Sequence, residues 1–219
     1  MRPRPSDRQG RVRNQRGEGD RLRQELISAA NRLLENGATH ESLSLRAVTR
    51  EVGIAATSIY LHFPDKTALL LAVYERHFAE LADQLNQAIA RHADPAARLR
   101  AAAQAYCQFA ADRPDVYQVL FSVSGSVSPP RMVPASQRPG VGVVLTVQKV
   151  IAECIDARLL PPVDPYAATV CLWAALHGLI VLRAARPHIA WPPSDTLMDT
   201  LLTIWLPRGL EQPTGTPDD

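Results

Sequence analysis

The stretch that decides the fold runs from Ser44 to Leu70 and reads SLRAVTREVGIAATSIYLHFPDKTALL. Its first part predicts a short helix that Ser44 caps and Gly53 ends, because serine favours the N-cap and glycine the left-handed position after a helix. The turn GIAA follows, and then a second short helix covers residues 56 to 62. Two helices joined by a tight, glycine-containing turn are the layout of a helix-turn-helix, whose second helix enters the major groove of DNA.

Apolar side chains are predicted to hold these two helices together, namely Val48, Val52, Ile54, Ile59 and Phe63. The remaining side chains of the second helix are then left on its outer face: Ala56, Thr57, Ser58, Tyr60, Leu61 and His62. Hydroxyl groups and an imidazole bond phosphates or base edges, and Ala56 or Leu61 can contact a thymine methyl group. Beyond the break at Pro64, Asp65 is predicted to cap a long helix to about His92. Lys66 lies at its start, where unpaired backbone N–H groups attract phosphate.

Helical spacing continues along the rest of the chain. A first helix is predicted from Asp20 to a glycine cap at Gly37. Beyond the long helix, five more are predicted at roughly 95–112, 114–122, 140–158, 165–185 and 194–206. Candidate N-caps are Asp94, Asp164 and Ser194, with Pro95 and Pro165 at first helical positions. No alternating strand pattern competes, so the predicted fold class is all-α: a three-helix head joined by a long fourth helix to a larger helical body.

The predicted domains follow from this order. Residues 1–19 are a disordered basic arm, 20–66 a helix-turn-helix DNA-binding domain, 67–93 a connecting helix, 94–210 a ligand-binding and dimerisation domain, and 211–219 a disordered tail. A long loop is predicted before Gly140. Residues 1–23 hold eight arginines and three acidic side chains, although the whole chain carries a net charge of only +2. Such an arm favours a polyanionic partner, most simply nucleic acid.

Several other classes of protein have little support in the sequence. The three cysteines, Cys107, Cys154 and Cys171, are far apart in apolar settings, so we predict reduced cysteines and no metal site. An enzyme needs a nucleophile beside a base, a carboxylate pair, a metal cluster or a phosphate loop. No Gly-rich phosphate motif appears, and nothing in the spacing of Cys107, Cys171 and His177 demands a Cys–His pair. No signal peptide is recognised, and the apolar run from Ala167 to Leu182 is shorter than the roughly 18 residues of a membrane span. We therefore predict a cytoplasmic protein without a membrane partner, a metal or a cofactor.

The segment SLRAVTREVGIAATSIYLHFPDKTALLLAVY closely resembles the DNA-binding domain of TetR-family transcriptional regulators. The resemblance runs from about Arg21 to Tyr74. It implies that Arg46 reaches bases, that Thr57 and Ser58 lie at the floor of the groove, and that Tyr60, His62 and Lys66 contact phosphates. Ser44 and Ala56 complete the set of candidate DNA-binding residues.

Two later segments, YCQFAADRPDVYQVLFS and LWAALHGLIVL, resemble the C-terminal domain of the same family that carries a Trp-x-x-x-His-Gly run, here Trp173, His177 and Gly178. This resemblance implies a ligand cavity among the middle helices and a dimer interface built from the last two. The candidate lining residues are Tyr106, Phe109, Tyr117, Phe121, Trp173 and His177, with Tyr117 and His177 as polar anchors. The same aromatic side chains also suit a plain hydrophobic core. Interface candidates are Trp173, Leu176, Leu179, Leu201, Leu202 and Trp205.

The resulting functional prediction is a homodimeric repressor that binds a palindromic operator in double-stranded DNA. A small, mostly apolar and largely neutral effector releases it by binding the DNA-incompetent state more tightly. The alternatives are a constitutive DNA-binding protein without a ligand and a helical enzyme. The size of the helical body, residues 94–210, argues for sensing and dimerisation over constitutive binding.

Overall fold

The computed structural model describes residues 18–121 and 138–206 of the 219-residue chain. Within these ranges all regular structure is helical, which confirms the predicted all-α class. The α-helices are α1 (Glu18–Glu35), α2 (Leu45–Val52), α3 (Lys66–Ile89), α4 (Pro95–Asp112), α5 (Pro114–Phe121), α6 (Val141–Asp156), α7 (Pro165–Ala185) and α8 (Ser194–Trp205). The predicted tail, nearly all of the predicted arm and most of the predicted loop lie outside the described residues.

The chain divides into two compact units, one up to Leu70 and one from Leu71 onward. The helix α3 begins in the first unit and continues in the second. In the first unit, α1 packs on α2, and α2 packs on the 3₁₀ helix Ser58–Leu61. In the second unit, α4 packs against α5, α6, α7 and α8, and α6 packs along α7.

Local capping signals set the helix ends in the first unit as predicted. Gly37 follows α1 with φ 91°, and the amides of Gly37 and Ala38 donate to the carbonyls of Leu34 and Leu33, which is a Schellman closure. The Ser44 side chain accepts a hydrogen bond from the Ala47 amide at the start of α2. Gly53 ends α2 with φ 80°, a conformation in which a side chain would be strained.

The predicted α-helix over residues 56 to 62 is shorter and tighter in the structure. It is a 3₁₀ helix over Ser58–Leu61, with turns on either side. The amides of Ser58, Tyr60 and His62 each donate to the carbonyl three residues earlier. Pro64 limits the helix at its C-terminal end, because it has no N–H to donate to Tyr60 and disfavours the helical conformation at Phe63.

The caps of the second unit agree with the sequence except at one position. Asp94 and Asp164 accept hydrogen bonds from the amides of Ala97 and Ala167, each followed by proline at the first helical position. The prediction of Ser194 as an N-cap is wrong, because α8 already includes Ser194. Its N-cap is Pro193, which makes no side-chain capping bond. The extended backbone of Pro193 precedes the helix directly, so the serine takes the first helical position.

Each unit has its own buried core. In the first unit, Leu26, Ala29, Val48, Ile59 and Leu69 are fully buried. In the second, apolar residues of α3 to α8 form one cluster whose most deeply buried members include Leu81, Leu99, Phe109, Ile151, Cys154 and Leu202. Two ion pairs, Arg98 with Glu153 and Arg100 with Asp199, tie α4 to α6 and to α8.

Candidate nucleic-acid interface and effector cleft

The outer face of the 3₁₀ helix carries the side chains that the sequence predicts there. Ile59 and Phe63 are buried, at 0% and 1% exposure, and fix the helix in the first unit. Tyr60 and Leu61 are exposed, at 59% and 85%. The other four candidates lie beside them: Ala56 and Thr57 are exposed, and Ser58 and His62 are partly buried. This edge of the first unit therefore presents hydroxyl groups, an imidazole and apolar methyl groups to solvent, the groups that contact phosphates and base edges.

Arg46 lies in the first turn of α2 and is exposed. Within residues 18–121 and 138–206 its guanidinium makes no hydrogen bond or ion pair, so no protein carboxylate neutralises it there. Arg32, by contrast, donates to Glu51 at 3.2 Å, which ties α1 to the last turn of α2. An exposed, uncompensated guanidinium suits a bidentate contact with guanine or a phosphate.

Lys66 has a structural partner that the sequence did not reveal. Its Nζ donates to the backbone carbonyl of His40 at 2.8 Å and to that of Glu41 at 3.2 Å. Two of its three N–H donors therefore hold the segment between α1 and α2. Asp65 Oδ1 also accepts from the Ala68 amide at 2.8 Å, so one of the first amides of α3 is already satisfied. Only the third N–H of Lys66 and the other unpaired amides at the start of α3 are then available to a phosphate.

The start of α1 lies next to His62, which sequence reasoning missed. A Cβ placed on Gly19 would be 4.0 Å from His62 Cε1. One turn further along α1, the Arg23 guanidinium sits 4.9 Å from the centre of the Phe63 ring, a cation–π distance. No sequence signal links these pairs, because about forty residues separate their members. The N-terminal end of α1 and the 3₁₀ helix therefore form one continuous edge of the first unit.

In the second unit, five of the six predicted lining residues come together in one cluster. A hydrogen-bonded chain joins four of them: Trp173 Nε1 donates to Tyr106 Oη at 3.0 Å, Tyr106 Oη lies 2.9 Å from Tyr117 Oη, and Tyr117 Oη lies 2.6 Å from His177 Nδ1. Phe121 packs against the chain, with its ring centre 5.1 Å from that of His177 and 6.1 Å from that of Trp173. Tyr106 and Tyr117 lie on consecutive helices, but the bonds to Trp173 and His177 join residues 67 and 60 positions apart, so only the tertiary fold completes the cluster.

The order of the protons in this chain follows from its donors. Indole N–H only donates, so Tyr106 Oη accepts from Trp173. Both hydroxyl groups are satisfied when Tyr106 donates to Tyr117 and Tyr117 donates to His177 Nδ1, which leaves the imidazole proton on Nε2. Burial raises the pKa of Tyr106 to about 12 and also raises that of Tyr117, while burial lowers the pKa of His177. All three side chains are therefore neutral near pH 7.

Phe109 is separate from this cluster. It is fully buried in the core of the second unit, and the Arg113 guanidinium lies 4.8 Å from its ring centre. Arg113 Nη1 also donates to Glu80 Oε2 at 2.6 Å, and His77 Nδ1 lies 3.1 Å from the same oxygen. Burial by itself raises the Glu80 pKa, but hydrogen bonds from His77 and Arg113 outweigh it, and the pKa is lowered. Phe109 and Arg113 thus fasten the end of α4 to α3.

An open cleft of about 1360 Å³ lies in the second unit, lined by α3, α4, α5, α7 and α8. Of the predicted lining residues, only Tyr117 and Phe121 reach it. Its remaining walls combine alanines of α4, aliphatic side chains of α7 and α8, and a set of glutamines that the sequence analysis did not single out: Gln84, Gln87, Gln104, Gln108 and Gln118. Their i, i+3 and i, i+4 spacing on α3 and α4 is the signal that could have found them.

The outward face of α7 is unusually apolar for a surface helix. Tyr166, Val170, Trp173, Val181 and Leu182 are between 37% and 57% exposed. By length and composition α7 could cross a membrane, with a mean hydropathy of 1.7 in its most apolar window, of which 22% is buried. The same helix contributes Leu172 and Leu176 to the core of the second unit.

No group of three or more metal-ligating side chains occurs in the part of the chain that the structure describes. Cys154 is buried and Cys107 partly buried, and burial raises the pKa of each to about 11, which keeps both as thiols.

Two sequence families match the chain. The family described as bacterial regulatory proteins, tetR family, matches residues 26–73, and the tetracyclin repressor-like C-terminal domain matches residues 99–204. A protein of unknown function from Rhodococcus sp. RHA1 is 26% identical, with 84% of this chain and 95% of that chain covered and a TM-score of 0.71.

Two further solved structures show the same fold at lower identity. A TetR family transcription regulator from Marinobacter aquaeolei VT8 is 15% identical over 87% of this chain and 98% of that chain, with a TM-score of 0.67. The transcriptional regulator FadR from Bacillus subtilis, in complex with stearoyl-CoA, is 13% identical over 84% and 97%, with a TM-score of 0.66.

Proposed function

Because the chain belongs to the TetR family of transcriptional regulators, we propose that it represses its target genes as a cytoplasmic homodimer on a palindromic operator and that a small-molecule effector releases it. The observation that carries the proposal is the exposed face of the 3₁₀ helix. Tyr60 at 59% and Leu61 at 85% exposure stand outside the core that Ile59 and Phe63 anchor. The family consists of DNA-binding regulators and not of enzymes, which removes the enzymatic alternative.

The DNA contacts are assigned from side-chain chemistry and exposure. Arg46 is the proposed base reader, because it is exposed and uncompensated within the described residues. Thr57 and Ser58 approach the floor of the groove, where small side chains let the backbone come close. Tyr60, His62 and Lys66 contact phosphates, while Ser44 and Ala56 border the same face. Lys66 does so with the donor that His40 and Glu41 leave unused.

The proposed dimer interface is the exposed apolar face of α7 together with the exposed side of α8. Ile204 on α8 is 72% exposed, and Leu182 on α7 is 53% exposed. A Cβ placed on Gly178 meets no atom within 4 Å, which leaves room for a partner helix to approach closely. A patch of this kind on a protein surface is covered by a partner in most cases.

The structure changes which residues of the predicted interface set are suitable. Leu176 and Leu202, at 4% and 0% exposure, belong to the core of their own subunit, and Leu201 and Trp205 pack partly on that core. Leu179 lines the cleft. Of the predicted set, Trp173 at 44% exposure remains available to a partner.

The effector is proposed to bind in the cleft of the second unit, near Tyr117 and Phe121. Its aliphatic walls suit a mostly apolar molecule. The structure of FadR, which has a similar fold, was solved in complex with stearoyl-CoA, a molecule with a long apolar chain. The helix α3 starts at Lys66 and also supplies Gln84 and Gln87 to the cleft. Movement of its cleft end therefore alters the distance between the DNA-binding units of the two subunits of the dimer. That spacing must match a DNA turn of roughly 34–36 Å for both to dock.

The test begins with selection of duplexes from a random DNA library by the full-length protein. We expect a palindrome to be enriched, with affinity that falls steeply with salt. A double variant that combines Tyr60→Ala with His62→Ala should bind DNA at least tenfold more weakly. The control is His188→Ala, at an exposed histidine of the second unit, which should leave DNA binding unchanged. Absence of an enriched palindrome would contradict the proposal.

A second experiment distinguishes a ligand-controlled repressor from a constitutive DNA-binding protein. The protein–palindrome complex is titrated with a library of small amphipathic molecules, and release is followed by fluorescence anisotropy of labelled DNA. Release by a compound that also binds the protein alone supports control by an effector. If compounds that bind in the cleft leave DNA affinity unchanged, the constitutive alternative holds.

A further inference from the structure

The cleft of the second unit concentrates one kind of side chain. Seven glutamines occur in the described residues, and five of them line this cleft: Gln84, Gln87, Gln104, Gln108 and Gln118. Gln84 and Gln87 are three residues apart on α3, and Gln104 and Gln108 are four apart on α4, so each helix presents two amides on one face.

Most of these amides have hydrogen-bonding capacity to spare. Gln108 donates to Asp112 at 2.5 Å. In the part of the chain that the structure describes, Gln87, Gln104 and Gln118 have no protein partner. Gln84 Oε1 is buried there without a hydrogen bond. A ligand donor that bonds to this oxygen removes the free-energy cost of leaving it unpaired. The cleft therefore offers both donors and acceptors to a bound molecule.

The ionic side chains of the cleft balance one another. Arg91 and Arg183 stand against Asp115 and Asp195, so the lining carries no net charge from these four. Arg183 already donates to the carbonyl of Pro192 at 2.6 Å. An ionic ligand head would therefore meet no net opposite charge from these side chains.

From these features we infer that the effector has a neutral head group that both donates and accepts hydrogen bonds, of the carboxamide kind, joined to an aliphatic body. A carboxamide pairs with glutamine through both of its functions, whereas a carboxylate only accepts and an ammonium only donates. The aliphatic body lies against the other lining, which includes Ile180, Leu197, Met198 and Phe121. The inference rests on the proposed function, and it refines the mostly apolar effector by giving its head group a defined chemistry.

Three probes with one tail and different heads test this chemistry: decanamide, decanoate and decylammonium, each below its micellar concentration. Their dissociation constants for the full-length protein are measured by isothermal titration calorimetry. We expect decanamide to bind roughly 3- to 10-fold more tightly than either ionic probe, the effect of one or two net hydrogen bonds. Equal binding of all three, no binding of decanamide, or a preference for an ionic probe would overturn the inference.

A double variant, Gln87→Met and Gln104→Met, removes two amides while keeping side-chain length. The preference for decanamide should fall below about twofold, whereas Gln148→Met on α6, outside the cleft, should leave it unchanged. Thermal melting verifies that the variants are folded. A preference that survives the double variant would overturn the assignment to the cleft glutamines.

Operator release is measured separately, so the two ideas fail in different ways. Decanamide that binds with the expected preference but leaves the protein on DNA contradicts effector control and supports the head-group inference. Release of DNA by another compound, with no binding of decanamide, overturns only the inference.

Discussion

The hydroxyl oxygen of Tyr117 lies 2.6 Å from Nδ1 of His177 and fixes which nitrogen of that imidazole carries the proton. Tyr106 and Trp173 complete the chain behind it, so α4, α5 and α7 are joined by hydrogen bonds inside an aromatic cluster. Tyr117 also lines the cleft, while Trp173 is 44% exposed on the outer face of α7. A bound molecule that displaces Tyr117 would therefore disturb the helix that we assign to the dimer interface.

Tyr117→Phe removes one hydroxyl group, so His177 Nδ1 loses its partner and Tyr106 keeps only the bond that it accepts from Trp173. Because Tyr106 and His177 are both buried to some degree, we expect a loss of about 1–3 kcal/mol in the free energy of unfolding. Chemical denaturation followed by circular dichroism measures it. The matched control is Tyr60→Phe, whose side chain is 59% exposed in the first unit and should change stability by less than about 0.5 kcal/mol. Equal effects of both substitutions would contradict a structural hydrogen-bond chain.

His177 makes stability depend on pH. Burial lowers its folded-state pKa below the ordinary value of 6.5. Between these two values the unfolded chain binds more protons, so the free energy of unfolding falls as the pH drops below about 6.5 and levels off below the folded pKa. Subtracting the pH profile of His177→Gln from that of the unsubstituted protein isolates this contribution. A difference that stays constant between about pH 7.5 and 5 would rule out a depressed pKa.

Lys66→Ala separates a structural role from a phosphate contact. The loss of bonds to the His40 and Glu41 carbonyls should lower the free energy of unfolding by about 1–2 kcal/mol. A phosphate contact adds a second effect, a decrease of about one in the slope of log affinity against log salt. The other lysine of the chain, Lys149, is exposed on α6 and serves as the control. If stability falls while the salt slope is unchanged, Lys66 does not contact phosphate.

Charge on the exposed apolar faces of α7 and α8 should dissociate the dimer. Ile204→Glu or Leu182→Glu places a carboxylate where a partner subunit would exclude water, so we expect monomers with greatly weakened operator binding. Analytical ultracentrifugation and DNA titration report both properties. Leu145→Glu on α6, at 57% exposure, is the control for a surface glutamate. Leu202 is unsuitable for this test, since a charge at a fully buried position would unfold the subunit. Variants that remain dimeric would place the interface elsewhere.

Local signals in the sequence determined the helical architecture of the described residues. The caps at Ser44, Asp65, Asp94 and Asp164 and the glycines at positions 37 and 53 act within a few residues of themselves. Such signals fix where helices begin and end, whatever the rest of the chain does. The exposed face of the 3₁₀ helix followed in the same way, because the apolar residues Ile59 and Phe63 stand four positions apart and lie on the same, buried side.

Contacts between distant residues were decided by the tertiary structure alone. The bonds of Lys66 to His40 and Glu41, the Tyr106–Tyr117–His177 chain and the glutamine-lined cleft each join residues from different helices or from a helix and a loop. Leu202 and Ile204 are two residues apart in α8 and equally apolar, yet one is fully buried and the other 72% exposed. Sequence periodicity identified α8 as a largely apolar helix, but the packing of α4 against it determines which side faces inward. Packing energies depend on the three-dimensional arrangement of many side chains at once, and no short pattern along the chain encodes that arrangement.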